Sequence, residues 1–435
     1  MGDDPIDKLH QVDSELVIGL VGAVGTDLGR VGDLLENQLV RTGYEVRRVK
    51  ISSDVIPHFG PIEYDGHDEF DRITKLMDAG NKARAEANDN SVLALGAAST
   101  IAAMRSDGMP LDQKVFIIRS LKRPEEVERL RKIYPSGFVL LGVHAEEPRR
   151  IRELQDRGIS LERAQQLVER DSNENIEKHG QRLEKTFYLS DFFVRLDGNE
   201  DMLKCELRRL VELLFGHPFR TPSFDEYAMF FAFAAALRSA DLSRQVGAVI
   251  ATGDQILATG ANDCPKQGGG LYWPTRDDVG CLHDSDGGRD YKRGFDSNKL
   301  EQKRIVDNIV DLGVSKGLDG HILRDVLCSK VSPIRDLTEY GRVVHAEMDA
   351  LTSCSRSGIP TAGATLYCTT FPCHNCAKHI VAAGIKRVVY IEPYEKRARP
   401  QNLWAKGYRE KRTEGRFAVT GGPVPQTPWD FAHRC

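Results

Sequence analysis

The first half of the chain alternates short apolar runs with charged, helix-prone stretches. Residues 16–21 form an unbroken apolar run, the pattern of a strand buried on both faces. A glycine-rich turn follows, Gly22-Ala-Val-Gly25-Thr26-Asp27, and then a helical pattern over 28–42. Further strands are expected at 44–51, 91–95, 114–118, 137–143 and 192–196, with helices between them, among them 124–134 and 161–170. Strands alternating with helices predict a parallel α/β sheet. A helix over 201–215 leads to Gly216-His217-Pro218, where we place a boundary between domains 1–215 and 216–435.

Beyond that boundary the pattern changes. Residues 225–239 read as a helix dense in Phe and Ala, and 245–251 with 255–260 as a hairpin around Thr252-Gly253-Asp254. A helix over 343–354, a strand over 364–370, a helix over 373–384 and a strand over 387–391 complete an α/β/α order. Between them lies a polar insertion, 266–299, rich in Gly and Asp. A loop that long is a functional lid or is disordered, and the sequence does not choose.

Composition narrows the class. The 435 residues are too many for one ordinary core. Hydrophobic content of 40% and charged content of 29% are those of a globular protein in water. A net charge of −4 advertises no general nucleic-acid surface. No apolar run reaches the length of a membrane span, and residues 1–11 are too polar for a signal peptide. Nine cysteines in this length make no disulfide framework, so a reducing, cytoplasmic setting is expected.

The chemistry concentrates in two short strings. His345-Ala346-Glu347 is followed, after 24 residues, by Pro372-Cys373-His374-Asn375-Cys376. This is H-x-E…P-C-x-x-C, the pattern of zinc-dependent nucleobase deaminases. His345, Cys373 and Cys376 are three zinc ligands of the right type, which leaves the fourth position a catalytic site needs. Bound zinc makes hydroxide available near neutral pH, and Glu347 is placed to carry a proton from water to a leaving amine. A lone C-x-x-C is often a structural knuckle or a redox pair; the full pattern in this order is much more specific. Both ligand groups fall at helix starts, where partial positive charge favours thiolate.

The second half resembles the deoxycytidylate deaminases. The matching stretches are 238–250 (Arg238-Ser-Ala-Asp-Leu-Ser-Arg-Gln-Val-Gly-Ala-Val-Ile250), Thr259-Gly-Ala-Asn262-Asp263, Val344-His-Ala-Glu-Met-Asp-Ala350 and 366–377. The whole chain is similar to two-domain anti-phage dCTP deaminases, which place a P-loop nucleotide-kinase-like domain before a cytidine-deaminase-like α/β/α domain. That resemblance implies Zn2+ as cofactor and a deoxycytidine nucleotide as substrate, dCTP or dCMP. It implies a defence role by depletion of dCTP. It also brings homo-oligomerisation and an inhibitory small RNA into view as partners. By the same resemblance His345, Cys373 and Cys376 are the metal ligands and Glu347 the proton shuttle. Asn262 is matched to a residue that meets sugar or base, its alternative being a turn residue. Arg238 and Ser239, at the end of a helix, are candidates for phosphate, an anion suited to the guanidinium fork; a helix-terminal Arg complementing the dipole is the plainer alternative.

Other soft ligands, Cys264, Cys281, His283, His321 and Cys328, lie in or near the insertion without the spacing of a compact zinc motif. Some deoxycytidylate deaminases hold a second zinc in this region. His374 and His379 read as exposed helix residues, and Cys205, Cys354, Cys368 and Cys435 as core or incidental thiols. In the first domain Gly22, Gly25 and Thr26 offer a phosphate cradle at a helix start. The Lys of a phosphate loop is missing and Asp27 stands near its place, so nucleotide binding, regulation or scaffolding is expected there rather than phosphoryl transfer; a plain βα turn is the alternative. Two other functions share parts of the pattern. One is deamination of cytosine or adenosine within RNA or DNA, and the other is a nucleotide-sensing regulator with a structural zinc. The acidic net charge speaks against the first, and the presence of Glu347 against the second.

Overall fold

The computed structural model describes residues 15–391, apart from 65, 67, 106–107, 175–178, 197–198, 330–331 and 338. Residues 1–11 and Cys435 therefore lie outside the described residues. The chain divides into two compact units, the first extending to Glu226 and the second from Tyr227 to Ile391.

The first unit runs β1 (Leu16–Val21), α1 (Leu28–Val40), β2 (Glu45–Lys50), α2 (Glu69–Glu86), α3 (Val92–Ala103), β3 (Lys114–Arg119), α4 (Pro124–Ile133), β4 (Phe138–Ala145), α5 (Glu147–Asp156), α6 (Leu161–Asn173), α7 (Leu183–Tyr188), β5 (Phe192–Leu196) and α8 (Glu200–Leu214). Its five strands lie in the order β2-β3-β1-β4-β5, and every neighbouring pair is parallel. The central strands read as continuous apolar runs because helices cover both faces. Ile18, Leu20, Leu35, Leu39, Leu207 and Leu210 share one buried cluster, so α1 and α8 cover the same face. A buried ion pair, Arg84–Glu126 at 2.9 Å, ties α2 to α4.

One expected strand is a helix. Residues 91–95 open α3, where Leu93, Ala94, Ala97 and Ile101 are buried at helical spacing. A five-residue apolar run has the same look in a buried strand and a buried helix, and the Ala-rich continuation decides for the helix.

The second unit begins with α9 (Phe224–Ala236), whose first turn spans the division, and continues with β6 (Gly247–Thr252), β7 (Gln255–Ala261), β8 (Thr275–Arg276), β9 (Leu282–His283), α10 (Asp290–Arg293), α11 (Ser297–Ser315), α12 (Gly320–Cys328), α13 (Ala346–Arg356), β10 (Thr365–Cys368), α14 (His374–Ala382) and β11 (Arg387–Tyr390). The main sheet has the order β11-β10-β6-β7. β10 is parallel to β11 and antiparallel to β6, and β6–β7 is an antiparallel hairpin. The fold is thus mixed α/β in both units, with a parallel sheet in the first. α11 and α12 are absent from the sequence expectation. The insertion is ordered through a short β8–β9 hairpin, and Arg289 pins it. That buried guanidinium lies 3.1 Å from both Asp263 and Asp284 and donates to Tyr272 O at 3.0 Å.

α13 lies directly on β7 because residue 260 is glycine. A Cβ there would come within 2.2 Å of Ala346 O and 2.5 Å of Ala350 N. Both neighbours are helix backbone, which cannot rotate away. Gly260→Ala is expected to cost about 1–3 kcal/mol, as overpacking does. Thermal or urea denaturation checks this, and an unchanged midpoint would show that the helix is not seated on that strand.

Candidate active site

The sequence places its two motifs at the beginnings of α13 and α14. His345 and Cys373 are the residues immediately before these helices, in extended conformation with φ −70° and ψ 152° or 169°. The expected helix over 343–354 therefore starts three residues later, and the one over 373–384 one residue later. At the N-cap the side chain leaves the helix axis and faces the next element. His345 is anchored on both sides. Val344 and Asp263 exchange backbone hydrogen bonds at 3.0 and 3.3 Å, and Asp349 N–H donates to His345 O at 2.9 Å. Asp349 Oδ2 accepts the Ala261 N–H at 3.2 Å, fastening α13 to the end of β7.

The result is a triangle. His345 Nδ1 is 3.3 Å from Cys373 Sγ and 3.3 Å from Cys376 Sγ. Tetrahedral zinc with Zn–S of about 2.3 Å and Zn–N of about 2.0 Å has a nitrogen–sulfur edge of roughly 3.5 Å. The donor set and its spacing thus fit zinc. Cys376 is buried while Cys373 is exposed, so the triangle opens to solvent on one side. Cys373 is held well below the usual thiol range, first by a hydrogen bond from the Cys376 thiol and then by His345. The same contact, with burial, pushes Cys376 up.

Glu347 is 3% exposed. Burial raises its carboxyl above the usual range, and its contacts include Cys376. Cys368, at the end of β10 and read from sequence as a core thiol, is fully buried with Glu347 beside it. An acid kept in a dry pocket next to three metal-type ligands can both take and return a proton.

The residues expected to meet substrate are placed differently from one another. Asn262 spends its amide on the backbone: Oδ1 accepts from Val246 N–H at 2.6 Å, and Nδ2 donates to Arg244 O at 2.7 Å. Ser239 Oγ donates to Asn262 O at 2.6 Å. Both brace the segment between α9 and β6. Arg238 stacks on Trp273, 3.8 Å from the ring centroid, and lines a cleft of about 390 Å³ with Lys266, Arg356 and Asp349. None of His345, Glu347, Cys373 or Cys376 lines that cleft. Trp273 is a residue that the sequence reading missed, its one signal being a tryptophan in a polar insertion that also holds Tyr272, Tyr291 and Phe295.

Of the other soft ligands, Cys281 and His283 come together with Asp277, ligand atoms within 4.8 Å of one another. His283 Nε2 meets Asp277 Oδ2 at 2.7 Å, and all three residues are exposed. Cys264 is apart from this group, buried with Sγ 3.5 Å from Asp290 Oδ1, and His321 and Cys328 lie on α12. His374 and His379 are exposed on α14. Gly22, Gly25 and Thr26 form the β1–α1 turn of the first unit, and Asp27 is the N-cap of α1, accepting from Arg30 N–H at 2.9 Å. Among the described residues no helix is long and apolar enough to cross a membrane.

A His-Cys-Cys triangle at two helix starts, with a buried carboxyl beside it, is the constellation of the zinc-dependent deaminases. Comparison with known proteins agrees. Residues 222–392 match the family model for the cytidine and deoxycytidylate deaminase zinc-binding region. ComE operon protein 2 of Bacillus subtilis is 38% identical over 91 residues, 21% of this chain and 48% of that protein. The chain thus spans about half the length of that relative. The deoxycytidylate deaminase of Enterobacteria phage T4 is 31% identical over 167 residues, 38% of this chain and 76% of the phage protein. The chain belongs to the cytidine and deoxycytidylate deaminase family. Among solved structures, the shikimate kinase of Bacteroides thetaiotaomicron matches at 12% identity and a TM-score of 0.30, covering 46% of this chain and 98% of the kinase.

Proposed function

We propose that the chain hydrolyses the amino group of deoxycytidine nucleotides, dCTP or dCMP, to give the deoxyuridine nucleotide and ammonia. The observation that carries this reading is the close triangle of His345, Cys373 and Cys376 with Glu347 buried beside it. Those three residues would hold Zn2+, and zinc, when bound, supplies Lewis acidity that lowers the pKa of water. Glu347 accepts a proton from water as the C4–O bond forms and passes it to N3, then carries the proton of the new hydroxyl to the amino nitrogen as the C4–N bond breaks and C4=O forms. Water is consumed, ammonia leaves, and the carboxylate is regenerated.

Several features bear on substrate. Relatives named deoxycytidylate deaminase match 38% and 41% of this chain, and the family model falls on residues 222–392, which carry the site. Arg238, with Lys266 and Arg356 in the same cleft, is a cation suited to phosphate oxygens. Asn262 and Ser239 act on the nucleotide by fixing the segment that follows Arg238. Depletion of dCTP in defence against phage, a cytoplasmic setting, self-association and restraint by a small RNA belong to the same proposal. They rest on the resemblance of the whole chain to anti-phage dCTP deaminases.

A substrate panel tests the reading. Ammonia release is expected from dCTP or dCMP, with single-stranded DNA and tRNA left unchanged. Deamination of a polymer without any turnover of free nucleotide would replace this proposal with a nucleic-acid deaminase. Zinc content without turnover of either would leave a regulator with a structural metal.

A further inference from the structure

The β1–α1 turn of the first unit has the form of an anion seat, and it already holds an anion. Val24 N–H, in the middle of the turn, donates to Asp171 Oδ2 at 2.8 Å. Lys122 Nζ is 3.5 Å from Asp171 Oδ1 and donates to Gly22 O at 3.0 Å. Asp171 lies in the last turn of α6 and is 2% exposed. Arg150, from α5, closes over the same turn and donates to Val24 O at 3.2 Å. Gly25 has φ +81°, and a Cβ there would meet Arg150 O at 2.5 Å, so the close seating depends on glycine. Thr26 Oγ1 is buried in the same turn and finds no hydrogen-bond partner among the described residues.

Backbone N–H groups of a glycine turn leading into a helix bind anions, and a nearby ammonium strengthens the seat. Here the ammonium comes from another strand. Lys122 follows β3, the neighbour of β1 in the sheet, and so reaches the turn although no Lys follows Gly25. One turn N–H and that ammonium are both engaged by a side-chain carboxylate of the same protein.

We propose that Asp171 is the resident occupant of a polyphosphate-type cradle. Its carboxylate takes the place of a phosphate oxygen, and with Lys122 it keeps the turn closed to nucleotide phosphates. A phosphate-bearing ligand enters only by displacing Asp171. The sequence admitted three roles for Gly22, Gly25 and Thr26, and this arrangement selects among them: the turn is a built cradle held shut from within. A buried ammonium that loses its partner demands another anion. Asp171→Asn keeps an oxygen for the Val24 N–H but removes the counter-charge of Lys122, so the occupant becomes neutral and an outside anion can displace it.

The test uses the full chain with inorganic pyrophosphate and ATP as probes, followed by titration calorimetry. The wild-type protein is expected to bind pyrophosphate no more tightly than K122M does, any anion taken by the Arg238 cleft being common to both. D171N is expected to bind it at least tenfold more tightly, and D171N/K122M to lose that gain. Equal binding by wild type and D171N, or a folded D171N with no gain, overturns the proposal. A second measurement does not depend on D171N folding. In wild-type protein Lys122 should be protected from acetylation, read by mass spectrometry, with or without pyrophosphate. Ready acetylation of Lys122, or protection that changes with pyrophosphate, also overturns it.

Discussion

Glu347→Gln should leave a folded, zinc-containing protein whose turnover of its best nucleotide substrate has fallen by about two to four orders of magnitude, the range for a removed general acid–base group. The substitution is nearly isosteric, and the residue is buried at the start of α13, so packing changes little. What is lost is the ability to accept a proton at one oxygen and give it up again at the leaving amine. Gln can accept a hydrogen bond and donate one, but it cannot carry a proton between them. His345, Cys373 and Cys376 are untouched, so metal content measured by mass spectrometry should match wild type. Near-normal turnover would remove Glu347 from the mechanism. Loss of zinc in this variant would instead make its role structural.

The grouping of His345, Cys373 and Cys376 was legible because the chemistry proposed for them, zinc ligation with proton transfer, allows few residue types at few spacings. H-x-E and P-C-x-x-C sit at helix starts, so a short string fixes both residue type and local geometry. The strands of the first sheet were legible for a different reason. Runs such as 16–21 are covered on both faces and carry no polar residue to blur them. Where the reading failed, the missing information was tertiary. Residues 91–95 looked like a strand because a short apolar run has no period of its own. α12 went unseen because it buries no residue at all, and its Ile322 and Val326 are exposed. Asn262 carries a matching motif, and the bonds of its amide to Val246 and Arg244, 16 and 18 residues away, are a bracing that the motif does not encode. The seat at Val24 is filled by a carboxylate 147 residues further along the chain, a pairing that no local pattern encodes.

Removing a metal ligand should have a different signature from removing the acid. His345→Ala, Cys373→Ala and Cys376→Ala are each expected to purify with zinc far below one ion per chain and with deamination essentially abolished. Two ligands and water do not make a stable zinc site, and the affinity lost with one of three protein donors exceeds the 10–100-fold typical of losing an outer hydrogen-bond partner. The two cysteines then separate on stability. Cys376 is 1% exposed and packs with Leu366, Ile380 and Val388 in the core of the second unit. Its truncation therefore also loses buried contacts, on the order of 1 kcal/mol for a group of this size. Cys373 is exposed at the N-cap of α14, so its truncation leaves the core intact. With metal stripped from all samples by a chelator, Cys373→Ala should melt with the wild-type apoprotein and Cys376→Ala should melt below it. With zinc restored, wild type should gain stability through binding to the folded state and neither variant should follow. Full zinc occupancy in any of the three variants would strike that residue from the ligand set.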